Sequence, residues 1–266
     1  AALGAIGGYN VYYGHLHNHS NVSDGTGTPN DAYSYAKNIA GLDFFGLSDH
    51  ANQIDANEWI SIKSAADNYN LDGVFTTFRG FEWSHNTQGH VTIINSEDYC
   101  TASSVPNFTN LLSWISTRDC AAFLNHPGRQ NTTGQEFGQF TDTPSDKIVG
   151  MELWNKNDAY SVYYYNDGYH SKDELLGYFD EAHIRDWKIG AGGSSDNHTA
   201  TWGTDNDYRM AILAENLSRT SLYEAMQNKR FFSTLDKNIK MSFKINDSEM
   251  GSTIAGNVGQ NLQILV

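Results

Sequence analysis

Short apolar runs, each closing on a polar residue able to ligate a metal, set the rhythm of this chain. The first, Tyr9 to His17, reads as a strand that delivers its histidines at its C-terminal end. Thr28-Pro29-Asn30-Asp31 predicts a helix start, with Thr28 as N-cap, Pro29 at the first helical position and Asp31 completing a capping box. That helix is expected to run to about Ala40 and stop at Gly41. Asp43 to Ser48 is a second apolar run and ends in Asp49-His50. A helical pattern over 57–69 puts Trp59, Ile62, Ala66 and Tyr69 on one face, and a strand over 75–81 then ends in Glu82-Trp83. Gly89-His90 opens the next strand instead of closing it, and a helix over 107–118 precedes a strand over 121–125 that ends at His126.

The alternation continues with strands over 148–154, 187–193 and 208–214 and helices over 172–185 and 218–228. It predicts an α/β fold with a mostly parallel sheet, and ligands gathered after at least five strand ends predict a barrel whose loops at one face build the site. Beyond Phe231 the pattern changes to short β-like pieces, so the expected organisation is a main domain over 9–230 and a β-rich extension over 231–266. The strand-like Leu262 to Val266 is expected either to pair into a small sheet or to lead into a longer, multidomain chain.

Composition narrows the chemistry. The 266 residues carry 17 basic and 31 acidic side chains, a formal charge of −14, which argues against an extended phosphate-backbone surface, so no nucleic-acid surface is expected. No apolar run approaches the length of a membrane span. Cys100 and Cys120 are the two cysteines, in no Cys-x-x-Cys pair, and are either bonded to each other or free packing residues. A composition rich in Asn, Ser, Thr and Tyr and poor in Lys leans toward an exported protein, with a cytoplasmic one as the alternative.

The candidate chemistry centres on His15-Leu16-His17-Asn18-His19 and the following Ser23-Asp24-Gly25. Side chains two apart on an extended segment point the same way, so His17 and His19 can serve one ion, and Asp24 beside a turn-forming glycine can return toward it. Mixed imidazole and carboxylate donors suit Zn, Mn or Fe better than Ca or Mg. Arg129, close behind His126-Pro127, is placed to clamp a phosphoryl or carboxylate oxygen. Asp49 and Glu152 are expected to orient ligand imidazoles, His85 to be a loop residue, His170 and His183 to lie on the surface, and the tyrosines between Tyr160 and Tyr169 to rim the site.

His17-Asn18-His19, Ser23-Asp24-Gly25, Ser48-Asp49-His50, Gly80-Phe81-Glu82 with Gly89-His90, Asn125-His126-Pro127 and Gly193-Ser194-Ser195-Asp196-Asn197-His198 together resemble the PHP (polymerase and histidinol phosphatase) superfamily of metal-dependent hydrolases. Gly80-Phe81-Glu82-Trp83 and Asn228 to Thr234 look most like its CehA/McbA-like branch. The resemblance implies a distorted (β/α)7 barrel and two to three divalent ions. The first would be held by His17, His19, Glu82 and Asp196, the second by the bridging Glu82 with His90 and His126, and the third by Asp24, His50 and His198. His15 stands where such proteins more often carry Asp, so His15-Leu16-His17 is a competing His-x-His pair.

The function expected from these residues is a metal-dependent hydrolase with a metal-bridging hydroxide, Glu82, Arg129 and Asp49 forming its catalytic set. A phosphoesterase acting on a small, anionic phosphate mono- or diester comes first. Hydrolysis of a carboxylic or carbamic ester or amide, in a pocket lined by Trp83, Trp154 and the tyrosines, is the alternative, and a non-catalytic metal-stabilised module is a third.

Overall fold

The structure, a computed structural model, describes residues 6–127, 143–155 and 177–266. It is a mixed α/β protein. Two five-stranded sheets carry the main domain, and a three-stranded sheet lies near the C-terminus.

The first sheet runs in the order β10 (Phe231–Thr234), β9 (Arg209–Ala214), β1 (Asn10–His15), β2 (Phe44–Gly46), β3 (Thr76–Phe78). The second runs β4 (Gly80–His85), β5 (Gly89–Ile94), β6 (Ala121–Asn125), β7 (Ile148–Asn155), β8 (Gly190–Ser194). These sheets are not closed into the expected barrel. Nor are they mostly parallel: β1 with β9, β9 with β10, β4 with β5 and β5 with β6 all pair antiparallel.

The apolar run over 75–81 is the point of departure. It reads as one strand, yet the chain breaks at Arg79 and passes from one sheet to the other. Gly80 permits the crossing, because a Cβ there would stand 2.8 Å from the Leu47 carbonyl oxygen and 2.9 Å from that of Ile93. The antiparallel β4–β5 hairpin also explains why His90 opens a strand: the start of β5 faces the end of β4, with Ser84 opposite His90. Phe231–Thr234, assigned by pattern to the extension, is instead the edge strand of the first sheet.

Helix boundaries follow local chemistry closely. Helix α1 (Pro29–Asn38) has the full Thr28/Asp31 capping box and ends two residues before Ala40. Helix α2 (Ala56–Tyr69) is capped reciprocally by Asp55 and Glu58, and α3 (Phe108–Ser116) by Asn107. Helices α4 (Tyr178–Ile184) and α5 (Arg219–Gln227) follow, the latter capped by Ser218. Helices α2 and α3 bury Trp59, Ile62, Phe108, Leu111 and Ile115 against Phe81, Trp83 and Ile93 of the second sheet.

Near the C-terminus, β11 (Lys244–Ile245) pairs antiparallel with β12 (Ser248–Glu249) and with β13 (Ile264–Leu265). The strand-like tail thus pairs into a small sheet, one of the two outcomes its sequence allowed. No helix among the described residues is long and apolar enough to cross a membrane.

Candidate metal centre

Ligand-bearing segments beyond the strand ends are tied to one another by backbone bonds. His19 N donates to the Asn197 carbonyl at 2.9 Å, Asp196 N to that of His17 at 3.1 Å, Ser48 N to that of Asn18 at 2.8 Å and Glu82 N to that of Asp49 at 2.9 Å. The extended 17–19 segment alternates as its spacing predicts. His17 and His19 face the cluster, while Asn18 turns away to donate to the Gly46 carbonyl and accept from Ser195 Oγ.

The structure brings together all nine candidate ligands. Glu82, fully buried, is the hub: its carboxylate lies 3.2 Å from His17 Nε2, 4.0 Å from His19 Nε2, 2.6 Å from His50 Nδ1, 3.1 Å from His90 Nδ1 and 3.5 Å from His126 Nε2. Asp196 Oδ1 stands 3.3 Å from His17 Nε2 and 3.1 Å from His19 Nε2. Asp24 Oδ1 closes the outer side, 3.2 Å from His198 Nε2 and 3.6 Å from His50 Nε2. Gly25 permits this return, since a Cβ there would lie 2.8 Å from the His19 backbone. His126 and Asp196 hold positive φ angles of 28° and 50°, costly for side-chain-bearing residues and typical of over-determined functional sites.

Ring orientation comes from partners behind the cluster. His17 Nδ1 donates to Glu152 Oε1 at 2.9 Å, and Glu152 Oε2 accepts from His126 N and Asn155 Nδ2, both at 2.8 Å. Glu152 thereby performs the orienting task expected of it. Among the described residues Asp49 hydrogen-bonds to no imidazole. It accepts from the backbone N and Oγ of both Ser20 and Ser23, pinning the turn that carries Asp24. Its influence on a ring is indirect, through Ser23 Oγ, which lies 3.3 Å from His19 Nδ1. His198 Nδ1 donates to the Asp196 carbonyl at 2.8 Å.

Three participants carried no sequence-level assignment. Asn125 Nδ2 donates to Glu82 Oε1 at 2.7 Å and to Thr92 Oγ1 at 3.0 Å, and Ser84 Oγ sits 2.7 Å from His50 Nδ1. Ser84 could have been found from the strand period, being two residues beyond Glu82 on the same face; Asn125 is signalled only by adjacency to His126.

Two other histidines stand apart. His15 is buried, donates from Nε2 to the Tyr208 carbonyl at 2.5 Å and has Nδ1 3.2 Å from Ser195 Oγ, so His17 and His19 are the pair that reaches the cluster. His85 stacks on Trp83 and lies 3.2 Å from the Pro106 carbonyl. Trp83 itself is fully buried in the core and donates to the Val105 carbonyl. Cys100 and Cys120 are free and buried. Arg129, His170 and the tyrosines between Tyr160 and Tyr169 lie outside the described residues.

The electrostatics are those of a site that wants a cation. Burial opposes protonation of His17, yet Asp196, Glu152 and Glu82 outweigh it and hold its pKa well above the usual imidazole value. Burial likewise opposes ionisation of Glu82, and His90 and His17 reverse that, keeping its pKa well below the carboxylate range. With Nδ1 protons directed at Glu152 and Ser23, His17 Nε2 and His19 Nε2 stand 3.3 Å apart beside Asp196 Oδ1, and the raised His17 pKa puts a proton between them when no metal ion takes that place. Acceptors converging so closely repel unless positive charge lies among them. Donor atoms fall into four overlapping groups, each within 4.8 Å: His19, Asp24, His50, His198; His17, His19, Glu82; His17, His126, Asp196; and His50, Glu82, His90. Imidazole and carboxylate donors in this arrangement fit divalent metal ions.

Comparison with known proteins agrees at the level of fold. A family profile described as "Protein of unknown function (DUF3604)" matches residues 44–118. A two-domain protein from Bacteroides vulgatus ATCC 8482, containing a predicted PHP-like metal-dependent phosphoesterase, superposes with a TM-score of 0.58 at 18% identity, over 88% of this chain and 67% of that one. The chain shares its fold. PsfC from Pseudomonas syringae PB-5123 gives a TM-score of 0.54 at 11% identity, over 86% of this chain and 93% of its own. The lesion-specific endonuclease PfuEndoQ from Pyrococcus furiosus gives 0.49 at 15% identity, over 84% and 57%. No curated protein matches the chain.

Proposed function

We propose that this protein is a PHP-type metal-dependent phosphoesterase acting on a small anionic phosphate mono- or diester, of the CehA/McbA-like branch. The observation that carries the reading is Glu82: one buried carboxylate contacted by five imidazoles, flanked by Asp196 and Asp24. His17, His19, Glu82 and Asp196 would hold one ion, Glu82 with His90 and His126 a second, and Asp24, His50 and His198 a third, with His19 Nδ1 also 3.8 Å from Asp24. Bound divalent ions supply the Lewis acidity that polarises a phosphoryl group and acidifies a water molecule.

The chain's own groups do the rest. Glu152 and the Asp49–Ser23 pair hold protons on His17 Nδ1 and His19 Nδ1, presenting both Nε2 atoms inward. Asn125 steadies Glu82 Oε1 by donating to it. Substrate approaches from the side of Asp24, His50, His90 and His198, whose side chains are partly exposed, whereas His17, His19, Glu82, His126 and Asp196 form the buried floor. Arg129 is proposed to clamp a phosphoryl oxygen from the segment after His126-Pro127. The ester or amide alternative drew on an aromatic pocket that included Trp83, and Trp83 lies in the core.

The deciding experiment pairs elemental metal analysis with hydrolysis of an aryl phosphate, an aryl phosphodiester and an aryl carboxylic ester by wild type, Glu82→Ala and Arg129→Ala. Two to three metals per chain and phosphate-ester turnover lost in both variants is the expected result. Carboxylic-ester turnover that requires Glu82 and ignores Arg129 would replace phosphate by an acyl substrate. Bound metal without turnover of any ester would leave a structural module.

A further inference from the structure

At the opposite end of β8 from Asp196 and His198 is a second cavity, of about 360 Å³, lined by His183, Lys188, Ile189, Lys229, Phe231 and Met250, together with the 251–253 turn and Gly190. Five strand residues at about 3.3 Å each separate it from the ligand-bearing end. Its walls are built by tight backbone contacts. A Cβ on Gly190 would meet the Phe231 ring at 2.7 Å, and one on Gly251 would meet the Asn228 carbonyl oxygen at 1.9 Å, so the 249–252 turn seats directly on the 228–229 backbone.

The charge of this cavity is inverted relative to the protein. A chain with formal charge −14 here lines a concavity with two lysines and a histidine and, among the described residues, no carboxylate. Neither the Lys188 nor the Lys229 ammonium is within ion-pair or hydrogen-bond distance of a carboxylate among the described residues, although Lys229 feels the field of Asp146. Burial pushes the Lys229 ammonium below the usual lysine pKa; Asp146 opposes the shift and Lys188 adds to it. Phe231, Ile189 and Met250 supply an apolar floor beneath these cations, and Ser252 and Thr253 add hydroxyls at the mouth. Few polar groups above an apolar floor, in a volume of this size, is the usual form of a small-molecule site.

We propose that this cavity is a second binding site, distinct from the metal centre, for an amphiphilic organic anion: an aromatic or aliphatic body resting on Phe231 and Met250 with its carboxylate or phosphate between Lys188 and Lys229. An incoming anion gives both ammonium groups a direct hydrogen-bonded partner, and its apolar part removes exposed surface from water.

The test is calorimetric titration of the metal-loaded protein with 2-naphthoate, against its uncharged analogue 2-naphthamide. The variants are Lys188→Gln with Lys229→Asn, asparagine being chosen because position 229 has a φ of +56° that it tolerates. Ser252→Trp, at an exposed position, blocks the mouth without touching the lysines. Expected are one equivalent of naphthoate bound by wild type and by Glu82→Ala alike, about tenfold or greater weakening for the amide and for the lysine variant, and loss of binding in Ser252→Trp. The proposal is overturned by amide binding equal to naphthoate, by undiminished binding in the lysine variant or Ser252→Trp, by loss in Glu82→Ala, or by no binding to wild type.

Discussion

Glu152 receives the Nδ1 proton of His17 on one carboxylate oxygen while His126 N and Asn155 Nδ2 both donate to the other. This division of labour predicts the effect of Glu152→Gln. A glutamine can offer its oxygen to His17, but its NH₂ then faces two donors, so either His126 or His17 is displaced. Metal affinity should fall by about 10- to 100-fold, read by competition with a chromophoric chelator. Unchanged affinity would show that the ring of His17 needs no such support.

Asp49 is the second test of what lies behind the ligands. Its four accepted hydrogen bonds, from Ser20 and Ser23, are made by a carboxylate with no exposed surface. An amide cannot accept all four, so Asp49→Asn should lower stability by about 1–3 kcal/mol in denaturant unfolding and loosen the Asp24 turn. Stability within a few tenths of wild type would contradict the network.

How far sequence reaches is visible in these same residues. His17 and His19 are legible because the period of an extended segment is local, and the Thr28/Asp31 capping box because all its atoms lie within four residues. The two-sheet division is not legible. The run 75–81 has continuous strand character, and what breaks it is the close approach of Leu47 and Ile93 carbonyls to Gly80, contacts made by distant chain. The same holds for Asp49: adjacency to His50 points to a ring, whereas its actual partners lie 26 and 29 residues away in sequence.

The outer group of ligands should be the most labile. Asp24's side chain is 49% exposed, whereas those of Glu82 and Asp196 are 0% and 3%. An ion held by Asp24, His50 and His198 therefore exchanges with solvent most readily. Asp24→Ala is expected to lower metal content by about one equivalent per chain, with the rest retained through dialysis and folding stability almost unchanged. Loss of every ion together would mean that the three groups load as one unit.

Cys100 and Cys120 should be silent until the protein opens. Burial raises their thiol pKa to about 12 and about 11, so thiolate is scarce at ordinary pH and sterically shielded as well. Labelling by an aromatic disulfide reagent at pH 8 should follow the rate of unfolding, with two thiols released in denaturant. Rapid native-state labelling of either would place it at the surface.

His15 supplies a pH dependence whose sign follows from burial. Desolvation, aided by the nearby Arg209 guanidinium and opposed by the Tyr208 carbonyl, lowers its pKa from the ordinary 6.5 to about 3. The folded state thus keeps this ring neutral while the unfolded chain takes up a proton below about pH 6.5. Wherever the unfolded state binds more protons, stability rises with pH. The contribution of His15 is therefore whole above pH 6.5, declines as pH falls from there toward 3, and changes no further below. Other titrating groups act in the same window, so the measurement is a difference: urea unfolding of chelator-treated wild type and His15→Gln at several pH values between 4 and 8. The variant, lacking the titrating ring, should be the less stable at pH 8 but show the shallower loss on acidification, by close to one proton in slope. Parallel profiles would mean that His15 is protonated in the native state, and that its hydrogen bond to Tyr208 is made by an imidazolium.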